Sequence, residues 1–479
     1  MENMDKRDLP FLTVGQLATL IESCEISPVE VTEAYLDRIR KINPLINAYI
    51  TIADEQVLLD AKIAESEITN KRYLGPLHGI PFAVKDQFLT DGLTTTNGSQ
   101  LLSDFVPNRN ATVISKLKEA GGLLLGKLNM GGFAGGGIFN YPYGIPRNPW
   151  ALDHTTGGSS SGSGGATSAY LCATSLGEDT GGSIRSPSSF CGLTGLRPSR
   201  GRVSRHGMFS AIWSMDTPGP ITRNVEDCAI TLQAIAGADP MDPHTEPIPV
   251  PDYRRHLTGE IKGMRIGIVK ELLLDDYIDP QVKTSIVRAT QTLEKLGAIV
   301  DEVSIPLMKN AMSYLIQIPH TVTEMSAIYD NFVRTRLGEY NHDVQVNLLL
   351  GKILPAQIYY KAQKLRGLLR EQTKNILQEF DLLVAQTDSE PAPVLTSGHM
   401  PSSKNEVIDK ILRPIFSTVG FALVGLPAIS VPCGFADVKG TKLPIGLQIA
   451  GRPLAESTVL RAAFAYEQAT EWHKASPPI

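Results

Sequence analysis

The sequence predicts an α/β fold: a single large domain with a mixed, mostly parallel central sheet covered by helices on both faces. Short apolar runs recur along the chain, amphipathic stretches of helical period lie between them, and no internal repeat of solenoid period interrupts the alternation. The chain has 479 residues, a length that large α/β proteins reach around one sheet, so residues 1–479 are read as one domain.

Residues 1–70 read as a helical part. Thr13 with Gln16, and Ser27-Pro28-Val29-Glu30, have the capping-box spacing, the second with proline at the first helical position. Val31, Tyr35, Ile39 and Ile42 then recur on one face up to Asn43-Pro44, where the pattern predicts the helix end. GIPFAV (79–84) and GLLLG (122–126) read as strands around the helix ATVISKLKEA (111–120). Further strands are expected at MRIGIV (264–269), DLLVA (381–385), AISVP (428–432) and IGLQIA (445–450). Residues 236–262 are rich in proline and acid and read as a surface excursion, whereas 310–380 is helix-forming and reads as a layer on the sheet that shapes the substrate site.

Bulk composition narrows the function. Forty-five basic against 50 acidic residues leave a net charge of -5, so no basic field exists to hold a polyanion, and nucleic acid is not an expected partner. MENMDKRDLP lacks an apolar stretch and is not a secretory signal. Five cysteines (24, 172, 191, 228, 433) are scattered and form no C-x-x-C pair, which fits a reducing cytoplasm and neither a disulfide framework nor a zinc site. Pro414 to Ala436 carries no charge and is long enough to cross a bilayer, but its prolines and glycines favour a buried helix, FALVGLP, followed by a buried strand, AISVPCGF.

Several motifs offer chemistry. GGLLLGKL (121–128) approaches a phosphate-binding loop, yet Leu128 stands where Ser or Thr would hold Mg²⁺ and three leucines fill the loop, so a buried strand is expected. GSSSG (158–162) matches the nucleophile elbow with Ser160 as nucleophile, although NPWALDHTT, not an apolar strand, precedes it. The run TTGGSSSGSGG (155–165) is also what a flexible linker looks like. A second cluster, DTGGS, ends in Ser183, and a serine nucleophile needs a base. His154 and His206 are nearest in sequence, without a motif to orient them; Lys85, after the apolar IPFAV, can serve if burial lowers its pKa by about 3 units. Taken alone, Lys85 reads more readily as a surface lysine at a strand end.

Taken together, GIPFAVKD, GGSSSGSGG, SLGEDTGGSIRSPSSFCGLTGLRPSRGRVSRHG and DTPGPITRNVEDCA resemble the amidase signature family, in family order, from about residue 75 to 230. GLPAISVPCGF and PIGLQIAG extend the likeness over 425–470, while 240–415 matches weakly. The resemblance implies a Ser-Ser-Lys triad. Lys85 matches the catalytic lysine, Ser159 the serine preceded by a cis peptide bond, and Ser183 the nucleophile. It further implies an oxyanion hole from the backbone of Thr180, Gly181, Gly182 and Ser183, support from Ser160, Asp179 and Arg185, and no metal or organic cofactor.

Two departures stand out. Glu178 occupies a position where relatives usually have Thr, and Gly131 and Gly132, within the glycine-rich Gly131–Gly137, replace residues commonly larger or acidic. Those glycines are expected to leave room for a bulky group, or to serve backbone clearance alone.

The function implied first is a free-standing, aryl acylamidase- or urethanase-like hydrolase, monomeric or homo-oligomeric, acting on a small amide, aryl amide or carbamate. The alternative is the A subunit of a tRNA-dependent amidotransferase, which releases ammonia from glutamine. Those subunits commonly read S-L-D-Q before a G-P, whereas this chain has Ser214-Met215-Asp216-Thr217-Pro218-Gly219-Pro220. A catalytically dead scaffold is disfavoured because all three triad residues are present. Specificity is expected in 240–415 and in the loops GMFSAIWSM (207–215) and QTDSEPAPVL (386–395).

Overall fold

The computed structural model describes residues 5–135, 141–273, 278–311, 316–395 and 416–479. At the N-terminus both capping boxes form: Thr13 Oγ1 accepts from Gln16 N at 3.1 Å while Gln16 Oε1 accepts from Thr13 N at 2.9 Å. Ser27 Oγ accepts from Val29 N at 3.0 Å while Glu30 Oε2 accepts from Ser27 N at 3.1 Å. The second helix, Pro28–Ile46, runs past the expected stop at Asn43-Pro44. Pro44 lies in its last turn, and the end is set by Asn47 in the left-handed region, whose N–H donates to Asn43 O at 2.7 Å.

The strands are β1 (Tyr49–Ile52), β2 (Pro81–Lys85), β3 (Leu123–Leu128), β4 (Arg147–Asn148), β5 (Ala151–Thr155), β6 (Thr174–Glu178) and β7 (Thr194–Arg197). They continue as β8 (Pro218–Thr222), β9 (Arg265–Val269), β10 (Ile299–Val303), β11 (Leu382–Gln386), β12 (Ala428–Val438) and β13 (Thr441–Gly451). Eleven of them form one sheet in the order β1-β3-β2-β6-β8-β7-β12-β13-β11-β9-β10; β4 and β5 pair separately. The sheet is mixed, as expected, but parallel pairing is confined to β3/β2/β6 and β11/β9/β10, and the centre is antiparallel. The mostly parallel balance expected from alternating strands and helices is therefore not met. One pair has a local cause: β12 turns into β13 through Lys439-Gly440, both at positive φ (53° and 87°), a two-residue hairpin that can only make antiparallel neighbours. The others, such as β6/β8 and β7/β8, are set by long connections that a local strand-helix pattern does not show.

GGLLLGKL is a strand. All of β3 is buried, and Gly126 (φ +151°) sits where an added Cβ would come within 2.1 Å of Thr51 O, so the glycine allows β1 and β3 to approach. Lys127 points into protein, donating to Thr90 Oγ1 and Thr95 Oγ1 at 3.0 Å each and facing Asp86 at 3.7 Å. The charge-free segment, described from Phe416 onward, is the helix Phe416–Val424 followed by β12. Among the described residues no helix is long and apolar enough to cross a membrane. Residues 236–262 add no strand to the sheet, and 317–379 form helices over Gln317–Ile328, Asp330–Arg336, His342–Ile353 and Ala356–Glu379. Met325, Tyr329, Tyr340, Val344 and Leu348 of that layer pack on Leu101 and Phe133, which brings it to the ends of β2 and β3.

Candidate active site

The parallel register of β2 and β6, with Val84 opposite Leu176, brings Lys85 and Glu178 to neighbouring strand ends. Open sheets commonly bind ligands at such carboxyl ends. Ser159 and Ser160 lead into the helix Ser161–Ser168, and the loop after β6 carries residues 179–184 into the helix Arg185–Phe190. The peptide bond Gly158–Ser159 is cis.

Lys85 is fully buried. Its Nζ donates to Ser159 Oγ at 2.8 Å and to Glu178 Oε2 at 3.1 Å, with Glu178 O at 3.4 Å. Burial pushes the ammonium below the ordinary lysine value, and the carboxylates of Glu178, Asp216 and Asp179 oppose that shift. Ser183 lines the same cavity as Ser159, and its carbonyl accepts from Ser160 N at 3.3 Å. Lys85, Ser159 and Ser183 are thus brought to one place.

The loop after β6 presents consecutive N–H groups from Thr180, Gly181, Gly182 and Ser183. Among the described residues none of the four has a hydrogen-bond acceptor. Asp179 holds the loop from below. Arg185 donates to its carboxylate through Nε and Nη2, both at 2.9 Å; the N–H groups of Ile184 and Arg185 follow at 3.2 and 3.4 Å, and Arg197 Nη1 lies at 3.4 Å. Burial pushes the Asp179 carboxyl up, but the two guanidinium groups more than reverse this and hold it well below the usual range. Arg185 also donates to Thr418 O at 2.9 Å and Gln448 Oε1 at 2.5 Å.

Ser160 has a different task from the elbow reading. It is fully buried, donating to Glu178 O at 3.1 Å and accepting from Glu178 N at 3.2 Å, so it ties the serine loop to β6. The histidines are elsewhere: His154 pairs with Asp153 at 2.7 Å, His206 contacts Thr112 Oγ1 at 3.2 Å, and neither lines the cavity.

The cavity measures about 230 Å³. Ser159, Thr180, Gly181, Gly182 and Ser183 line it on one side; Tyr141, Phe190, Ala211, Ile212 and Met325 contribute walls. None of its described lining residues is charged. Ala211 and Ile212 come from GMFSAIWSM, Pro393 from QTDSEPAPVL, and Gln317, Thr321 and Met325 from the helical layer, so each region expected to carry specificity reaches the site. Gly131 also lines it, whereas Gly136 and Gly137 lie outside the described residues. A larger cavity of about 480 Å³ near the chain ends is lined by Tyr170, Arg223, Glu226 and Glu467 but by none of the three candidate reacting residues.

Sequence reasoning missed Asp216. This buried carboxylate accepts from Ser210 Oγ at 2.5 Å, Ala211 N at 2.7 Å and Ile212 N at 3.0 Å, and it lies 2.6 Å from Thr180 Oγ1. Its only signal was an acid between the loop GMFSAIWSM and the proline-rich β8.

Comparison with known proteins is consistent with this arrangement. A family model described as Amidase matches residues 30–460, and the chain belongs to that family, the amidase signature enzymes, which act on carbon-nitrogen bonds. The A subunit of the glutamyl-tRNA(Gln) amidotransferase from Moorella thermoacetica is 39% identical over 98% of this chain and 99% of its own. The structure of its counterpart from Thermotoga maritima superposes with a TM-score of 0.79 at 31% identity, covering 100% of this chain and 97% of its own. A bacterial aryl acylamidase superposes with a TM-score of 0.85 at 26% identity, covering 97% and 98%.

Proposed function

We propose that the chain is a free-standing serine hydrolase of uncharged amide, aryl amide or carbamate bonds that works through an acyl-enzyme on Ser183. One observation carries the reading: Ser159, hydrogen-bonded to a buried lysine, shares with Ser183 a cavity that, among the described residues, has an uncharged lining and is bordered by four amides without an acceptor. Neutral Lys85 accepts the proton of Ser159 as Ser159 accepts that of Ser183, whose oxygen attacks the substrate carbonyl. The amides of 180–183 stabilise the resulting oxyanion, and losing one such donor costs about 3 kcal/mol of barrier. Ser159 then protonates the leaving nitrogen, and water releases the acyl group. The five cysteines, all free thiols, agree with a reducing cytoplasm.

A second reading, the A subunit of an amidotransferase, is favoured by relatives that match nearly the whole chain at 38–40% identity. Glutamine, however, carries an ammonium and a carboxylate, and the described lining residues offer neither an ionic partner. The purified chain, assayed alone on p-nitroacetanilide, a phenyl carbamate and glutamine, separates the two. We expect turnover of the aryl substrates and loss of it in Ser183→Ala and Lys85→Ala. Glutamine hydrolysis appearing only with a co-purified partner would replace this reading with the second.

A further inference from the structure

Glu178 and Asp216 are both fully buried, and both reach the same hydroxyl. Thr180 Oγ1 lies 2.7 Å from Glu178 Oε1 and 2.6 Å from Asp216 Oδ1. A threonine hydroxyl carries one proton and can donate to only one of them. The second short contact needs another proton between two oxygens, and that proton has to belong to a carboxyl group. The other oxygen of Glu178 faces Lys85 Nζ at 3.1 Å, so the state of this acid pair is felt directly by the lysine.

We propose that Glu178 and Asp216 share one proton through the Thr180 hydroxyl, and that its position sets the pH at which Lys85 becomes a free amine. The proposal rests on Lys85 being the catalytic base and makes Glu178 a positioning residue. With the proton on Asp216, Thr180 donates to Glu178, whose carboxylate pairs the lysine ammonium. To move it, the Asp216 O–H bond breaks as a Thr180 O–H bond forms, and the hydroxyl's original O–H bond breaks as a Glu178 O–H bond forms. Atoms and charge balance without a co-reactant. Lys85 then loses its counter-ion and passes its own proton to Ser159 Oγ, 2.8 Å away, as the Ser159 hydroxyl gives up its original proton to water in the cavity it lines.

The surroundings favour a single proton in the pair. Burial, then the charge of Glu178, push the Asp216 carboxyl up, against the hydrogen bonds from Ser210, Thr180 and Ile212. Among the described residues, the other charged or titratable groups facing the unit are Asp179, which favours the ammonium of Lys85, Arg197, which feels both carboxylates, and Tyr329, whose hydroxyl donates to Ser210 O at 2.7 Å. Asp179 pairs with both Arg197 and Arg185, so this cluster supplies a fixed field.

The test is the pH profile of kcat/KM for an uncharged aryl amide in wild type and Glu178→Gln. Glutamine keeps the shape but cannot be the counter-ion, so the acid limb should move to lower pH by about 1 to 3 units. A limb that stays in place, with or without a lower plateau, overturns the proposal and leaves the base assignment intact. Activity in Lys85→Ala would instead overturn that assignment. Should Glu178→Gln not fold, infrared difference spectra of the wild type decide: a protonated-carboxyl band near neutral pH that disappears in Asp216→Asn supports the shared proton. No such Asp216-dependent band refutes it.

Discussion

Replacing Asp179 with asparagine is the most informative single perturbation. Its carboxylate is fully buried and is the acidic partner of both Arg185 and Arg197, themselves fully buried, so the neutral amide leaves two guanidinium groups facing an uncharged neighbour. Removing one partner of a buried pair costs about 3 to 5 kcal/mol. The same carboxylate takes the N–H groups of Ile184 and Arg185 at 3.2 and 3.4 Å, fixing the far end of the loop whose near end is held by Asp179 N donating to Thr217 O at 2.9 Å. If loosening that loop costs even one oxyanion donor, kcat falls about 10²-fold. Urea unfolding followed by fluorescence, with stopped-flow acylation of folded protein, measures both effects. Because the carboxyl is held low in the folded state, its contribution is complete above the unfolded carboxylate value of about 4 and is lost as pH falls. The stability gap between wild type and variant should therefore narrow in acid. A variant with the wild-type urea midpoint and wild-type kcat would refute the assigned role of Asp179.

Two further outcomes are expected. In Gly182→Ala an added Cβ would come within 2.3 Å of Thr418 Oγ1 at a residue with φ +146°, so kcat should drop about 10²-fold with little change in KM; full activity would show that the loop is not held in this shape. Burial pushes the Glu467 carboxyl up to about 8, which means the folded protein loses stability as pH rises from about 4 toward 8 while the unfolded chain ionises; Glu467→Gln should flatten that slope in unfolding measured across pH.

The sequence was legible where one physical rule acted alone. The runs that became β2, β3, β9, β11, β12 and β13 are apolar because these strands are largely buried, and the caps at Thr13 and Ser27 work over three residues. The end of the second helix was misplaced because Pro44 read as a terminator, while tertiary context lets the helix run on to Ile46 and Asn47 supplies the turn. The strands β1 and β7 carry only four residues each, and β8, PGPIT, is broken by two prolines and a glycine, so no apolar run shows. At the site, Lys85, Ser159 and Ser183 could be named because their motifs are local. Glu178 could be noticed only as a departure, and Asp216 only as one residue of the stretch 214–220: what makes it matter is a hydroxyl 36 positions away in sequence, shared with a second acid.

Arg185 has a consequence for how the chain matures. It reaches from the end of the loop after β6 to Thr418 O and to Gln448 on β13, so the loop is braced by residues synthesised more than two hundred positions later. A chain still leaving the ribosome already holds both serines and the lysine, but not the struts that lock them. Truncated products lacking the last two strands should accordingly be inert, which confines hydrolytic activity to finished molecules.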